Sequence, residues 1–203
     1  MDREYDIIVW GATGFTGRLV VDYMAEQHAN SNLKWAVGGR NPQKLQQMLA
    51  GRDVAMVTAD SGDEASIEAL VRKTRVILTT VGPYARYGSS LVAACAKHGT
   101  DYCDLTGEVH WMREMITAYQ EEARTTGARI VHTCGFDSIP SDLGVYFLQK
   151  HMLSTHGVPA RQIKYRPRAF SGGFSGGTID SMIAMMEKAR EDKSIRTKLA
   201  DPY

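Results

Sequence analysis

Apolar residues fall along the chain in two alternating rhythms. Tyr5–Trp10 is a short β-branched run that stops at a glycine, the pattern of a parallel strand buried on both faces. Further runs at 33–38, 54–58, 76–81, 102–105 and 129–133 predict five more strands. Between them the apolar spacing becomes helical. Over 16–27 it is carried by Leu19, Val20, Tyr23 and Met24. Asn41-Pro42 opens a second helix with proline at a first position. Helices follow at 66–73, at Ser89–His98 ending on Gly99, and at Val109–Thr126 closed by Gly127. Strand and helix alternate six times. That order predicts parallel strands with crossover helices, an α/β, Rossmann-type doubly wound sheet.

After Pro140 the rhythm changes. A helix is expected over 141–152, a linker over 154–159, and a strand with alternating basic residues over 163–169. Ser171–Gly177 then holds four glycines in seven residues, and a last helix is expected over 178–191. These pieces predict residues 1–155 as one complete domain and 156–203 as the incomplete start of a second, α+β domain.

Composition narrows the class. The 203 residues carry 24 Lys+Arg against 23 Asp+Glu, a formal charge of +1. No general basic excess is present to grip a nucleic acid. Hydrophobic residues at 43% and charged residues at 23% are those of an ordinary globular chain. Cys95, Cys103 and Cys134 form no CxxC pair and give neither a disulfide framework nor a zinc signature. The six histidines are scattered without metal spacing, so no metal is expected. The charged N-terminus and the lack of a long apolar run predict a cytoplasmic protein, with peripheral membrane contact left open.

The sharpest chemistry lies at Gly11-Ala12-Thr13-Gly14-Phe15-Thr16-Gly17, which follows a strand and opens a helix. Gly11 allows a tight turn. Gly14 lets the backbone approach a pyrophosphate, and Gly17 lets the helix pack close to the sheet. The N–H groups and the positive helix end then face phosphates. The second strand ends Val37-Gly38-Gly39-Arg40-Asn41, with no carboxylate to hold a ribose diol. Arg40 stands where a 2′-phosphate would be, and Lys44 lies one turn on, which predicts NADP(H) in preference to NAD(H). Asp60 follows the third strand as an adenine contact or a helix cap. Val81-Gly82-Pro83-Tyr84 follows the fourth strand and predicts a wall on the nicotinamide side.

Together with Gly135-Phe136-Asp137-Ser138-Ile139-Pro140-Ser141-Asp142-Leu143-Gly144 and Asp104-Leu105-Thr106-Gly107-Glu108, these segments closely resemble the saccharopine dehydrogenase-like oxidoreductases, including the trans-acting enoyl reductase branch. The resemblance covers nearly the whole chain. It implies an NADP(H)-dependent oxidoreductase that moves hydride to an enoyl- or imine-type, small or lipid-like substrate. It also implies a second domain that supplies substrate pocket and dimer contacts, with a homodimer left open. Family chains are longer, so the sequence reads as a truncated member.

Catalytic candidates remain open between chemistry and structure. Tyr84 and Tyr87 flank the expected nicotinamide side, as donors or as packing. Asp104, Thr106 and Glu108 follow the fifth strand, with a helix cap at Thr106 or Gly107 as the alternative. Asp137 and Ser138 follow the sixth strand, to hold substrate or to cap the next helix. Tyr146 and Lys150 match the Tyr-x-x-x-Lys of short-chain dehydrogenases, with Thr133 upstream. Met182, Met185 and Met186 are expected to face a core. The other class of function is a dinucleotide-binding or scaffold protein without turnover.

Overall fold

The run Tyr5–Trp10 becomes strand β1, and its alternating side chains divide the molecule. Ile8 and Trp10 point to one face of the sheet and Val9 to the other. In the computed structural model, which describes residues 2–169 and 171–200, β1 pairs in parallel with β2 (Trp35–Gly39) and β4 (Thr74–Thr79). The register sets Ile8 beside Ala36 on one side and Ile77 on the other. Strands β3 (Ala55–Thr58), β5 (Asp101–Cys103) and β6 (Ile130–Val131) complete six parallel strands in the order β3-β2-β1-β4-β5-β6. The chain reverses direction across the sheet between β1 and β4, where an open α/β sheet leaves a crevice.

Helices cover the sheet in two layers. Helices α1 (Phe15–Gln27) and α2 (Pro42–Leu49) bury Val21, Met24, Leu45 and Leu49 against Val9 and Val37. On the other face lie α3 (Glu64–Val71), the short α4 (Tyr84–Tyr87), α5 (Ser89–His98) and α6 (Val109–Thr126). They bury Ile67, Leu70, Leu91, Val92, Trp111 and Met115 against Ile8, Trp10 and Ile77. Local chemistry sets the helix starts. Asn41 caps α2 by accepting from the Lys44 N–H, with Pro42 at the first turn. Asp63 caps α3 by accepting from the Ala65 N–H.

The second region differs from its expectation. Helix α7 (Ile139–His156) runs through the expected linker and stops at Gly157. It buries no residue, and Leu143, Val145, Tyr146, Phe147 and Leu153 are exposed. Residues 163–169 form no strand. An isolated extended segment has no ladder to satisfy its backbone groups, and this one pairs with none of the described strands. Helices α8 (Gly176–Glu191) and α9 (Lys193–Ala200) dock back on the first domain by burying Ala184 and Ile195. Two pairs fasten them at the rim, Arg86 with Glu187 at 3.6 Å and Lys198 with Glu114 at 3.5 Å. The expected methionine core is not formed: Met182 and Met186 are exposed, because Ser181 and Ala184 occupy the packed face of α8.

His110 at the start of α6 is 1% exposed, and neither ring nitrogen has a hydrogen-bond partner among the described residues. Burial, and then Lys188 of α8 and Lys198 of α9, hold its pKa below the usual value against the pull of Glu108 and Glu114. An unfolded chain protonates its histidines near pH ~6.5, so below that pH the unfolded state binds more protons here. The contribution of His110 to stability should therefore be level above pH ~6.5 and fall as the pH drops below it. Urea midpoints across this range should fall less steeply in His110→Met than in the parent; equal slopes would exclude His110 as the cause.

Candidate functional site

The end of β1 and the start of α1 are held against each other by glycine. Gly11 adopts φ +88°, and a Cβ there would lie 2.6 Å from Val81 Cγ2. A Cβ on Gly17 would lie 2.2 Å from the Gly11 carbonyl oxygen. Both positions thus exclude any side chain. The turn is pinned to β2 by the Gly11 N–H, which donates to the Gly38 carbonyl at 3.0 Å. Helix α1 begins at Gly14 with no side-chain cap, which leaves first-turn N–H groups for a ligand.

These residues floor a cleft of about 300 Å³ at the carboxyl end of the sheet. Gly11, Thr13, Gly14, Phe15 and Thr16 line its base, Gly39, Arg40 and Ser61 one side, and Thr80, Val81 and Gly82 the other. Gly17 packs beneath. Arg40 is exposed and has no ion-pair partner among the described residues. Lys44 lies outside this cleft, in an adjoining cavity with Thr13, Arg18 and Asp22. Arg18, whose Nε donates to the Thr13 carbonyl at 3.2 Å, adds a second cation there that sequence reasoning passed over. Its helical position gave no local signal.

Asp60 neither lines the cleft nor caps α3. Its carboxylate accepts from the Gly62 N–H at 3.0 Å, and the adjacent Ser61 takes the cleft position. Val81 and Gly82 form the far wall, while Pro83, after a cis peptide bond, is buried behind it. Ser175 and Gly177 reach the cleft from the glycine-rich segment that starts α8. The glycine run was visible in the sequence, but its destination was not.

The catalytic candidates are placed away from the cleft. Tyr84 is 5% exposed and packs on Trp111 at a ring separation of 5.6 Å. Its hydroxyl donates to the Thr79 carbonyl and accepts from the Leu105 N–H. Burial, then the Asp104 charge, raises its pKa far above the usual phenol value, and its proton is given to the Thr79 carbonyl rather than to the cleft. Asp104 is 2% exposed and fully engaged. It accepts from Tyr102 Oη at 2.9 Å, the Thr106 N–H at 3.1 Å and the Thr133 N–H at 3.0 Å, and it meets His132 Nδ1 at 2.6 Å. This network holds Thr133 at φ +61°, an uncommon conformation for a β-branched residue. Thr106 does not cap α6; its Oγ1 accepts from the Glu108 N–H, and Glu108 is the cap position.

Asp137 is exposed at the start of α7, where the cap position is Ser138 without a side-chain bond. Tyr87 is 45% exposed. Tyr146 and Lys150 stand exposed on α7, and neither they nor Thr133 line the cleft, so the short-chain dehydrogenase arrangement is not assembled. Burial raises the Cys103 thiol to about 12, which marks it as inert.

A parallel sheet with this strand order, a glycine turn at its switch point and an arginine after β2 define a dinucleotide-binding Rossmann domain. Residues 7–131 match the model of the saccharopine dehydrogenase NADP binding domain, and the chain belongs to that family. Its cofactor is NADP(H) in preference to NAD(H), in keeping with the arginine that stands after β2 where NAD sites place a carboxylate. A trans-acting enoyl reductase of Mycobacterium bovis is 42% identical over 208 residues, covering 100% of this chain and 49% of its own length. One from Mycobacterium ulcerans is 42% identical over 207 residues, covering 99% and 49%. The chain thus spans about half the length of the curated relatives it matches. The apo saccharopine dehydrogenase (L-Glu forming) of Saccharomyces cerevisiae shares the fold, with TM-score 0.58 at 18% identity over 75% of this chain and 32% of that one.

Gly17→Ala should be costly, because backbone rather than a flexible side chain meets the new methyl group. A loss of about 2 kcal/mol or more is expected in urea unfolding, together with weaker NADPH binding. Unchanged stability would show that the close packing of α1 on the turn is not required.

Proposed function

We propose that residues 1–155 hold NADP(H) for an oxidoreductase that moves hydride between the cofactor and an enoyl-type, small or lipid-like substrate. Residues 156–203 are read as the opening of its substrate and dimerisation domain. The observation that carries the reading is the glycine-walled cleft at the β1–β4 switch point with Arg40 on its rim. The enoyl chemistry rests on the relatives' names, which describe enoyl reductases along the whole of this chain.

Each residue's task follows from its place. The first-turn N–H groups after Gly14 receive the pyrophosphate. Arg40 takes the 2′-phosphate through its guanidinium fork, with Lys44 and Arg18 adding positive potential from the neighbouring cavity. The adenine lies along Gly39 and Ser61. Val81 and Gly82 bound the nicotinamide side. The cofactor supplies the hydride when bound; the chain binds it, orients it and covers it. Asp104 and Tyr84 support that edge from beneath.

A second reading, dinucleotide binding without turnover, is favoured by one observation: Tyr84, Asp104 and Asp137 all stand off the cleft lining. NADPH consumption with a panel of enoyl and imine acceptors separates the two readings, and the enzyme reading expects turnover with an enoyl acceptor. No lining carboxylate favours a ribose diol, so NADPH should bind more tightly than NADH. Arg40→Ala should weaken NADPH by about tenfold to a hundredfold and leave NADH nearly unchanged. Calorimetric titration reads both, and equal parent affinities would remove Arg40 from the 2′-phosphate site.

A further inference from the structure

Glu108 is a second buried, hydrogen-bonded carboxylate at the cleft edge, and it does not line the cleft. It is 3% exposed. One oxygen accepts from the Tyr84 N–H at 2.8 Å and the other from the Ala85 N–H at 2.9 Å. These are first-turn donors of α4, immediately after the wall formed by Val81 and Gly82. A third donor comes from far along the chain. Ser181 Oγ on α8 gives its proton to Glu108 Oε1 at 3.0 Å. A buried carboxylate needs such donors, because burial without them is strongly unfavourable.

Ser181 also stands beside the wall itself: a Cβ added to Gly82 would meet its hydroxyl at 3.5 Å, so only glycine's missing side chain separates them. Gly177 and Ser181 are four residues apart on one helix and so share a face. Gly177 and Ser175 line the cofactor cleft. One face of α8 therefore closes the cleft with its first turn and meets Glu108 with its second. Gly39, Arg40 and Ser61, on the opposite side of the cleft, make no hydrogen bond to Glu108 or Ser181.

We propose that Glu108 is a positioning residue: through the Tyr84 and Ala85 N–H groups it shapes the nicotinamide-side wall, and through Ser181 it holds α8 closed over that same end of the cleft. The proposal rests on the NADP(H) reading above and adds to it a residue that acts on one half of the cofactor only. The half-molecule 2′,5′-ADP occupies the adenosine end alone and should not sense the linkage. NADPH should sense it, and its nicotinamide fluorescence reports how well that ring is covered.

The test uses the full chain, with calorimetry for both ligands, NADPH emission and thermal melting. Ser181→Ala should weaken NADPH about fivefold, the loss of one hydrogen bond. It should lower the emission gain on binding, leave 2′,5′-ADP affinity unchanged and lower the melting temperature by no more than several degrees. Ser181→Thr, which keeps the hydroxyl, should restore NADPH affinity. Equal weakening of both ligands, or no change in NADPH, would overturn the positioning role. A parent chain that binds neither ligand would instead overturn the cofactor reading on which the proposal rests.

Discussion

The structure depends on one close approach, that of the first turn of α1 to the carbonyl of Gly11. No atom fits between Gly17 and that oxygen, so helix and turn meet backbone to backbone. This contact fixes the direction of α1 and presents its uncapped N–H groups outward. It also seats Gly11 against Val81 and Thr80, which joins β1 to β4 across the switch point. The cleft is the space left over once these backbones are in contact.

Two buried carboxylates organise the rest of that edge. Asp104 gathers Tyr102, Thr106, His132 and Thr133 and thereby ties the end of β5 to the end of β6. Glu108 gathers the start of α4 and the middle of α8. Neither faces the cofactor. Asp104 satisfies loop N–H groups beyond the short strands β5 and β6, and Glu108 satisfies first-turn N–H groups of α4, since every buried backbone donor needs an acceptor. Carboxylates at strand ends can thus serve an active edge without reacting at it.

The two layers of the molecule differ in how fully they are covered. Both faces around β1 and β2 are closed by α1, α2, α3 and α5, giving two distinct apolar clusters. Toward β6 the cover thins: Val131 is 52% exposed, and α7 offers apolar side chains that contact no core. No helix among the described residues is long and apolar enough to cross a membrane, so those side chains do not mark a span. The match to only half the length of the relatives is consistent with this uneven closure.

The chain's own periodicity determined the sheet, the helices up to Gly127, the phosphate turn and the arginine after β2. Those features are local: β-branched runs, helical spacing and glycines each express a constraint within a few residues. Strand boundaries moved by at most two residues; α4 was invisible because one turn carries no periodicity, and α9 because its segment is mostly charged and polar. The helix expected over 178–191 formed as α8, whereas basic alternation over 163–169 resembles a strand but pairs with none of the described strands. What only the tertiary structure decided was which polar side chains face the cleft. Tyr84, Asp104 and Glu108 all follow strands at the ligand edge, and sequence position cannot distinguish a side chain aimed at a cofactor from one turned inward to receive loop N–H groups. That choice is made by long-range partners, Leu105, His132 and Ser181, which meet these residues only once the chain has folded.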